Sequence, residues 1–482
     1  MVLNHKTALD YVLQSPEYFR RLSVSKIEEV HRLLTSGLQV ASGIRQGMVG
    51  IVGTNYRPLD NNYQIKEALQ HLISTVNQTE NPVEKAIRML YPAGKQERRF
   101  SVVKFLFLIL LLCAETANSQ TLSGVYWKTA TPEQIQKLID DGASVTDDLL
   151  ILAAGFNSNP AVIEALIKAK ADVNAQIDGG GTPLMFAAMN NSNPAVIEAL
   201  IKAKADINAR NKEGVTPLML AAMFNSNPAI VEVLIKAKAD VNVRSKEGKW
   251  TPLMLAAVKN SNPAVIEALI KAKADVNARD EDVWTPLMLA ARDNSNPAVI
   301  EALIKAKADV NARNKEGGWT PLMAAAAKNP NPTIIEALIK AKADVNARNV
   351  LGGTPLMAAA GFNSNPAVVE ALIKAKADVN ARNKEGGTPL MLAAMNNSNP
   401  AVTKALIKAK ADVSARDQIG WTPLMFAAGK NPNPAVIEAL IKAKADVSAR
   451  DKAGKTAFDY AEDNPEIKGT PVYWKLNDLM YK

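Results

Sequence analysis

The segment T-P-L-M-x-A-A begins at Thr182, Thr216, Thr251, Thr285, Thr320, Thr354, Thr388 and Thr422, and successive copies lie 34 or 35 residues apart. Each copy is followed by N-P-A-V-I-E-A-L-I-K-A-K-A-D-V-N or a near variant. A fixed period of this size excludes a conventional globular core. Each unit is one supersecondary element that buries its apolar face only against its neighbours. Such a stack offers a long surface for gripping partners, and nothing in the repeated unit has the look of catalytic machinery.

Two helices and a turn fit one period. Thr182 is a suitable N-cap, and Pro183 suits the first helical position, where a missing N–H does no harm. Leu184, Ala187 and Ala188 then share one face at helical spacing, and the paired alanines let a neighbouring helix come close. An N-S-N link ends that helix. Asn193 and Pro194 repeat the cap-and-proline start, with Val196, Ile197, Leu200 and Ile201 as the second apolar face. Glu198 and Lys202 form an i,i+4 couple with the acid on the N-terminal side, the better orientation. Asn211-Lys212-Glu213-Gly214 supplies turn chemistry before the next Thr-Pro.

Composition narrows the function. The apolar share of 48% permits a substantial buried core, and the formal charge of +9 is small for 482 residues. A nucleic-acid binder concentrates its basic residues on one face. Here Lys168-type and Lys170-type residues recur along the units beside Glu164-type residues, which reads as a solvated, ion-paired surface and argues against nucleic acid as a partner. The single cysteine, Cys113, excludes an intrachain disulfide and a multi-cysteine zinc site. His5, His31 and His71 all precede the repeats, so the repeats carry no histidine chemistry, and no cofactor or metal is expected.

The repeat closely resembles the ankyrin repeat, whose T-P-L-H-x-A-A and G-A-D-V-N-A signatures match over about residues 121–466. The resemblance implies an all-α solenoid of antiparallel helix pairs with hairpin fingers and a concave groove that binds a protein. A monomer is expected, and the ten-residue apolar run 105–114 is too short for a stable membrane span of about 20 residues. Two departures stand out. The family's His is Met (Met185, Met219, Met254, Met288, Met323, Met357, Met391 and Met425), so apolar packing is expected where the family makes hydrogen bonds. The family's helix-ending Gly is Lys, from Lys170 to Lys444. A left-handed backbone at such a lysine costs about 1 kcal/mol relative to glycine.

Five segments follow. Residues 148–455 hold nine repeats, 120–147 an N-terminal capping half-repeat, and 456–482 a C-terminal capping repeat and tail. Residues 1–94 do not repeat and read as a small, mainly helical fragment. Its I-E-E-V-H-R-L-L and I-R-Q-G-M-V-G-I-V-G-T-N-Y-R-P runs resemble the front half of a Fic (Fido) domain. The family's H-P-F-x-D-G-N-G-R has no counterpart, so nucleotidyl transfer by this chain is not expected. Residues 95–119 join basic residues, the apolar run 105–114 and a small-x-small site ending at Ser119, the form of a secretory signal. Working from a start at Met89, that signal would export the array. The alternative is a buried helix in a cytoplasmic protein, since apolar runs of about 10–14 residues are also found in cores.

Variable positions in a regular repeat point to the partner. Trp250, Trp284, Trp319 and Trp421 precede Thr-Pro, a finger position at the groove in ankyrin repeats. The first three, in consecutive units about 10 Å apart, make either a hot-spot stripe or local packing of each ring on its own hairpin. After the paired alanines come Phe156, Phe224, Lys259, Arg292 with Asp293, Lys328, Phe362 and Lys430, expected to line the groove. Arg210 and its equivalents up to Arg450 form a finger ladder, read as structural, with solvated or acid-paired guanidiniums. Together these features favour a non-catalytic scaffold. A Fic-type AMP-transferase with a targeting array and a structural or surface repeat protein are the alternatives.

Overall fold

The computed structural model describes residues 128–141 and 147–480, and among them every regular element is an α-helix. The readings made for 1–94 and 95–119 lie outside the described residues. The chain divides into two compact units. In the first, Thr131 caps helix Pro132–Asp140 by accepting the Gln134 N–H, and the Gln134 side chain answers by accepting the Thr131 N–H. Helix Pro160–Lys168 packs against Pro132–Asp140 and against helix Asp147–Phe156, with Leu150, Ile151, Ile163 and Leu166 buried between them.

The second unit, Ala188–Ile201 with Ala205–Lys482, shows the repeat physics most fully. Inner helices such as Pro252–Lys259, Pro286–Asp293 and Pro321–Lys328 stack side by side, and each packs on its own outer helix, as Pro286–Asp293 does on Pro297–Lys305. Thr285 has extended backbone and its hydroxyl accepts the Met288 N–H, so the helix starts there. Alanine pairs such as Ala290 and Ala291 are fully buried, and their small size sets the close approach of the inner helices. Val299, Ile300 and Leu303 seal each outer helix; burying one such side chain is worth about 1.5–3 kcal/mol.

Each outer helix ends in the same way. Lys307 takes φ 66, its N–H donates to the Ile304 carbonyl, and the Ala308 N–H donates to Leu303. This is a Schellman ending with lysine where glycine is the unstrained choice. The left-handed backbone anticipated at these lysines holds in every repeat from Lys170 to Lys444.

Polar ladders tie one repeat to the next. Asn294, buried at the end of its inner helix, donates both amide protons to the preceding repeat, at Ala257 (3.0 Å) and Asn260 (2.9 Å). Its own carbonyl oxygen accepts the Asn296 N–H. Asn225, Asn260, Asn329, Asn363, Asn397, Asn431 and Asn464 repeat the pattern. Each thus satisfies backbone groups that burial would otherwise orphan. The fingers join through backbone bonds between tips, such as Lys315 N–H to Asp282 and Gln418 N–H to Glu385.

Three expectations need correction. The finger arginines are exposed but not acid-paired, and they are tied to backbone: Arg313 donates to the Arg348 carbonyl at 2.6 Å, Arg348 to Arg382 and Arg382 to Arg416, a ladder of side chain to backbone. Methionine is not purely apolar packing, because the Met391 and Met425 sulfurs each accept the N–H of their N-cap threonine at 3.4 Å. The surface is sparsely ion-paired. Glu267–Lys271 and Glu301–Lys305 are not bridged, and the ion pairs found among the described residues converge on one carboxylate, Asp293.

Candidate protein-binding surface

The inner helices from Pro183–Asn190 to Pro423–Lys430 are each eight residues long, and their last two side chains vary from copy to copy. In Pro286–Asp293 the first six residues are buried, leaving Arg292 and Asp293 at the open end. The same geometry puts Lys259, Lys328 and Lys430 at the surface, while Phe224 is half-buried. Phe362 is 65% exposed, a large aromatic ring with little of its surface covered. Phe156 is half-buried at the end of its helix in the first unit.

The charged side chains in the middle of this row are organised. Arg292 Nε and Nη2 both donate to Asp293 Oδ2, at 2.8 and 2.6 Å, and Lys328 Nζ reaches Asp293 Oδ1 at 3.2 Å from the next repeat. The Arg292 guanidinium lies 4.7 Å from the centroid of the Trp284 ring, within cation–π range. One half-buried carboxylate therefore pins two cations, and an indole backs one of them.

The four tryptophans do not share one environment. Trp250 is 7% exposed and lies on its own hairpin, so close that a methyl built on Gly248 would stand 2.7 Å from its Cδ1. Trp319 lies on Gly317 at the same 2.7 Å, half-buried. Trp421 packs on Phe426 and Tyr460, with centroids 4.9 and 4.3 Å away. There, burial first and then the bond to Asp451 push the Tyr460 phenol up to about 12, and that bond holds the Asp451 carboxyl below its ordinary value. Trp284 meets a charged group of the row, the Arg292 guanidinium. An open stripe across Trp250, Trp284 and Trp319 is not formed, because Trp250 is covered by its own turn. Trp250→Ala is accordingly expected to lower stability by about 2 kcal/mol, the worth of burying a large apolar side chain. Phe362→Ala should change it by less than about 0.5 kcal/mol, as exposed substitutions do. Denaturant melts compare them, and equal costs would contradict the packing described.

The Trp284 hairpin departs from its neighbours twice more. Val283 occupies a position held by Gly214, Gly352, Gly386 and Gly420, all at positive φ, and itself takes φ 65. A β-branched residue there is a genuine outlier. The Arg279 carbonyl accepts the Arg244 guanidinium, but among the described residues its own guanidinium does not carry the ladder on to the Arg313 carbonyl. Val283→Gly is expected to raise stability by about 1 kcal/mol by relieving this strain. A melting midpoint that stays put or falls would show that the hairpin is not strained.

Sequence reasoning passed over the fingertips. Val350, Leu351 and Ile419 are 52%, 65% and 55% exposed, in turns where other copies carry Lys and Glu. The signal was present, since N-K-E-G becomes N-V-L-G at 349–352 and D-Q-I-G at 417–420. Among the described residues, no group of His, Cys, Asp or Glu converges as metal ligands would, and no helix is long and apolar enough to cross a membrane.

Stacked helix pairs joined by hairpin fingers, with identical framework and variable exposed ends, define a helical repeat protein. A family model for ankyrin repeats (3 copies) matches the chain in overlapping stretches from 150–245 through 390–467, and the chain belongs to the ankyrin-repeat family. Ankyrin repeats are in general protein-interaction modules. A comparison with curated proteins returns no match.

Proposed function

We propose that the chain is a non-catalytic scaffold that binds a protein partner across the open ends of its inner helices and its fingertips. One observation carries this reading. Variation is concentrated at exposed positions, with Phe362, Leu351 and Lys328 standing free of the core, while the buried framework repeats almost unchanged. A fold that needed only to stack has no use for an exposed phenylalanine. In this reading the Fic-like stretch 1–94 contributes no transfer activity, because it carries no counterpart of the family's catalytic motif. The segment 95–119 serves as an export signal when translation starts at Met89.

Capture from cell extract by the full chain tests the scaffold reading. A protein retained by the native chain should be lost with Phe362→Ala plus Lys328→Ala and kept with Lys271→Ala plus Lys305→Ala on the outer helices. The reverse pattern would place binding on the opposite face and sink the proposal.

A further inference from the structure

Resting on the groove reading above, we propose that Phe224, Lys259, Arg292, Asp293, Lys328 and Phe362 form a seat for one class of partner: a protein segment with carboxylates at its centre and apolar side chains on both flanks. Phe224, Lys259, Asp293, Lys328 and Phe362 end five consecutive inner helices, so they recur one repeat apart. The order is apolar, basic, ion-pair node, basic, apolar.

Charge selects the centre of the ligand. Lys259, Arg292 and Lys328 against Asp293 leave three cations to one anion. Asp293 uses Arg292 Nε and Nη2 and one Lys328 proton, so Arg292 Nη1 and the remaining Lys328 protons are donors without acceptors. Asp293 and Trp284 hold the guanidinium in place, so little side-chain freedom is lost when a carboxylate docks. The acidic pair Glu281 and Asp282 stands at the hairpin tip that precedes this helix, about 12 Å away along eight residues of helix.

The flanks select the rest. Equivalent positions hold Asn190, Asn396 and Lys430, so the fold does not require phenylalanine there. From Asp293 to either Phe is two repeats, about 20 Å at about 10 Å per helix, or about six residues of extended chain.

The test pans a phage library of about 16 random residues, enough to span the ~40 Å seat at ~3.3 Å each, against the full chain. Selected peptides should carry Asp or Glu centrally and Leu, Ile, Phe or Trp toward both ends. A synthetic peptide of that type should bind about tenfold or more weakly to the Arg292→Gln, Lys328→Gln chain, and more weakly still as salt rises. Because that variant leaves Asp293 uncompensated, the neutral triple Arg292→Gln, Asp293→Asn, Lys328→Gln is measured beside it, with circular dichroism as the check on folding. Peptides without an acidic preference, or affinity indifferent to the neutral triple, overturn the acidic-partner proposal and leave the groove reading standing. Failure to select any peptide above background overturns the groove reading, and this proposal with it.

Discussion

Asn329→Ala is expected to destabilise the array by about 3 kcal/mol, far beyond the effect of a surface change. Asn329 is 2% exposed, and its amide donates to Ala291 at 3.0 Å and Asn294 at 2.8 Å. Its side-chain oxygen accepts the Asn331 N–H, which opens the outer helix. Alanine removes all three bonds at once and leaves two carbonyls and one N–H at a buried seam. Each orphaned group costs about 1–3 kcal/mol, less whatever water recovers on entering the gap. The damage falls on an interface between repeats, so the unfolding transition should broaden as well as shift. Asn396→Ala is the control, because that asparagine is exposed on its inner helix. Denaturant unfolding followed by far-ultraviolet circular dichroism gives the comparison. A loss at Asn329 no greater than at Asn396 would mean the ladder contributes nothing net.

The second large effect runs the other way. Replacing Lys273, Lys307, Lys342 and Lys376 together by glycine is expected to stabilise the chain by about 4 kcal/mol, about 1 kcal/mol at each site. These lysines take φ of 65, 66, 69 and 65, where a side chain crowds the following carbonyl and glycine does not. Their side chains are exposed, so no buried contact is lost. The sites lie a repeat apart and share no partner, which makes their contributions close to additive. The matched lysine-to-alanine variant keeps a Cβ in the left-handed region and should gain little. If the alanine and glycine sets melt alike, backbone strain is not what the lysines cost. The gain from glycine has a functional counterpart: the seat from Phe224 to Phe362 lies on the other helix of each pair, so stabilisation should leave peptide affinity unchanged.

The architecture was legible because ankyrin units are built from local contacts. Thr285 caps its own helix, Pro286 starts it, and Leu287, Ala290 and Ala291 bury a face set by helical spacing alone. Lysine at the helix-ending position was readable as strain for the same reason, since φ there depends on a motif a few residues long. The positions that would vary at the surface could also be read, because a regular repeat makes every exception visible.

What joins one repeat to the next was not legible. Asn294 bonds to residues 34 and 37 positions earlier, and Arg313 to a carbonyl 35 positions later. A side chain's identity gives no hint of a partner one repeat away, so the backbone ladder of these exposed arginines went unread. The tryptophans were ambiguous for a related reason. The hairpins before Trp250 and Trp319 hold one residue more than that before Trp284, and the longer turns lay those rings on Gly248 and Gly317. The shorter turn leaves Trp284 beside Arg292. By itself the sequence determined the repeat, its caps and its strained joints, all consequences of short-range sterics and hydrogen bonding. Only the stacked structure decided which exposed groups act together, because the Arg292–Asp293–Lys328 node exists only once two inner helices lie side by side.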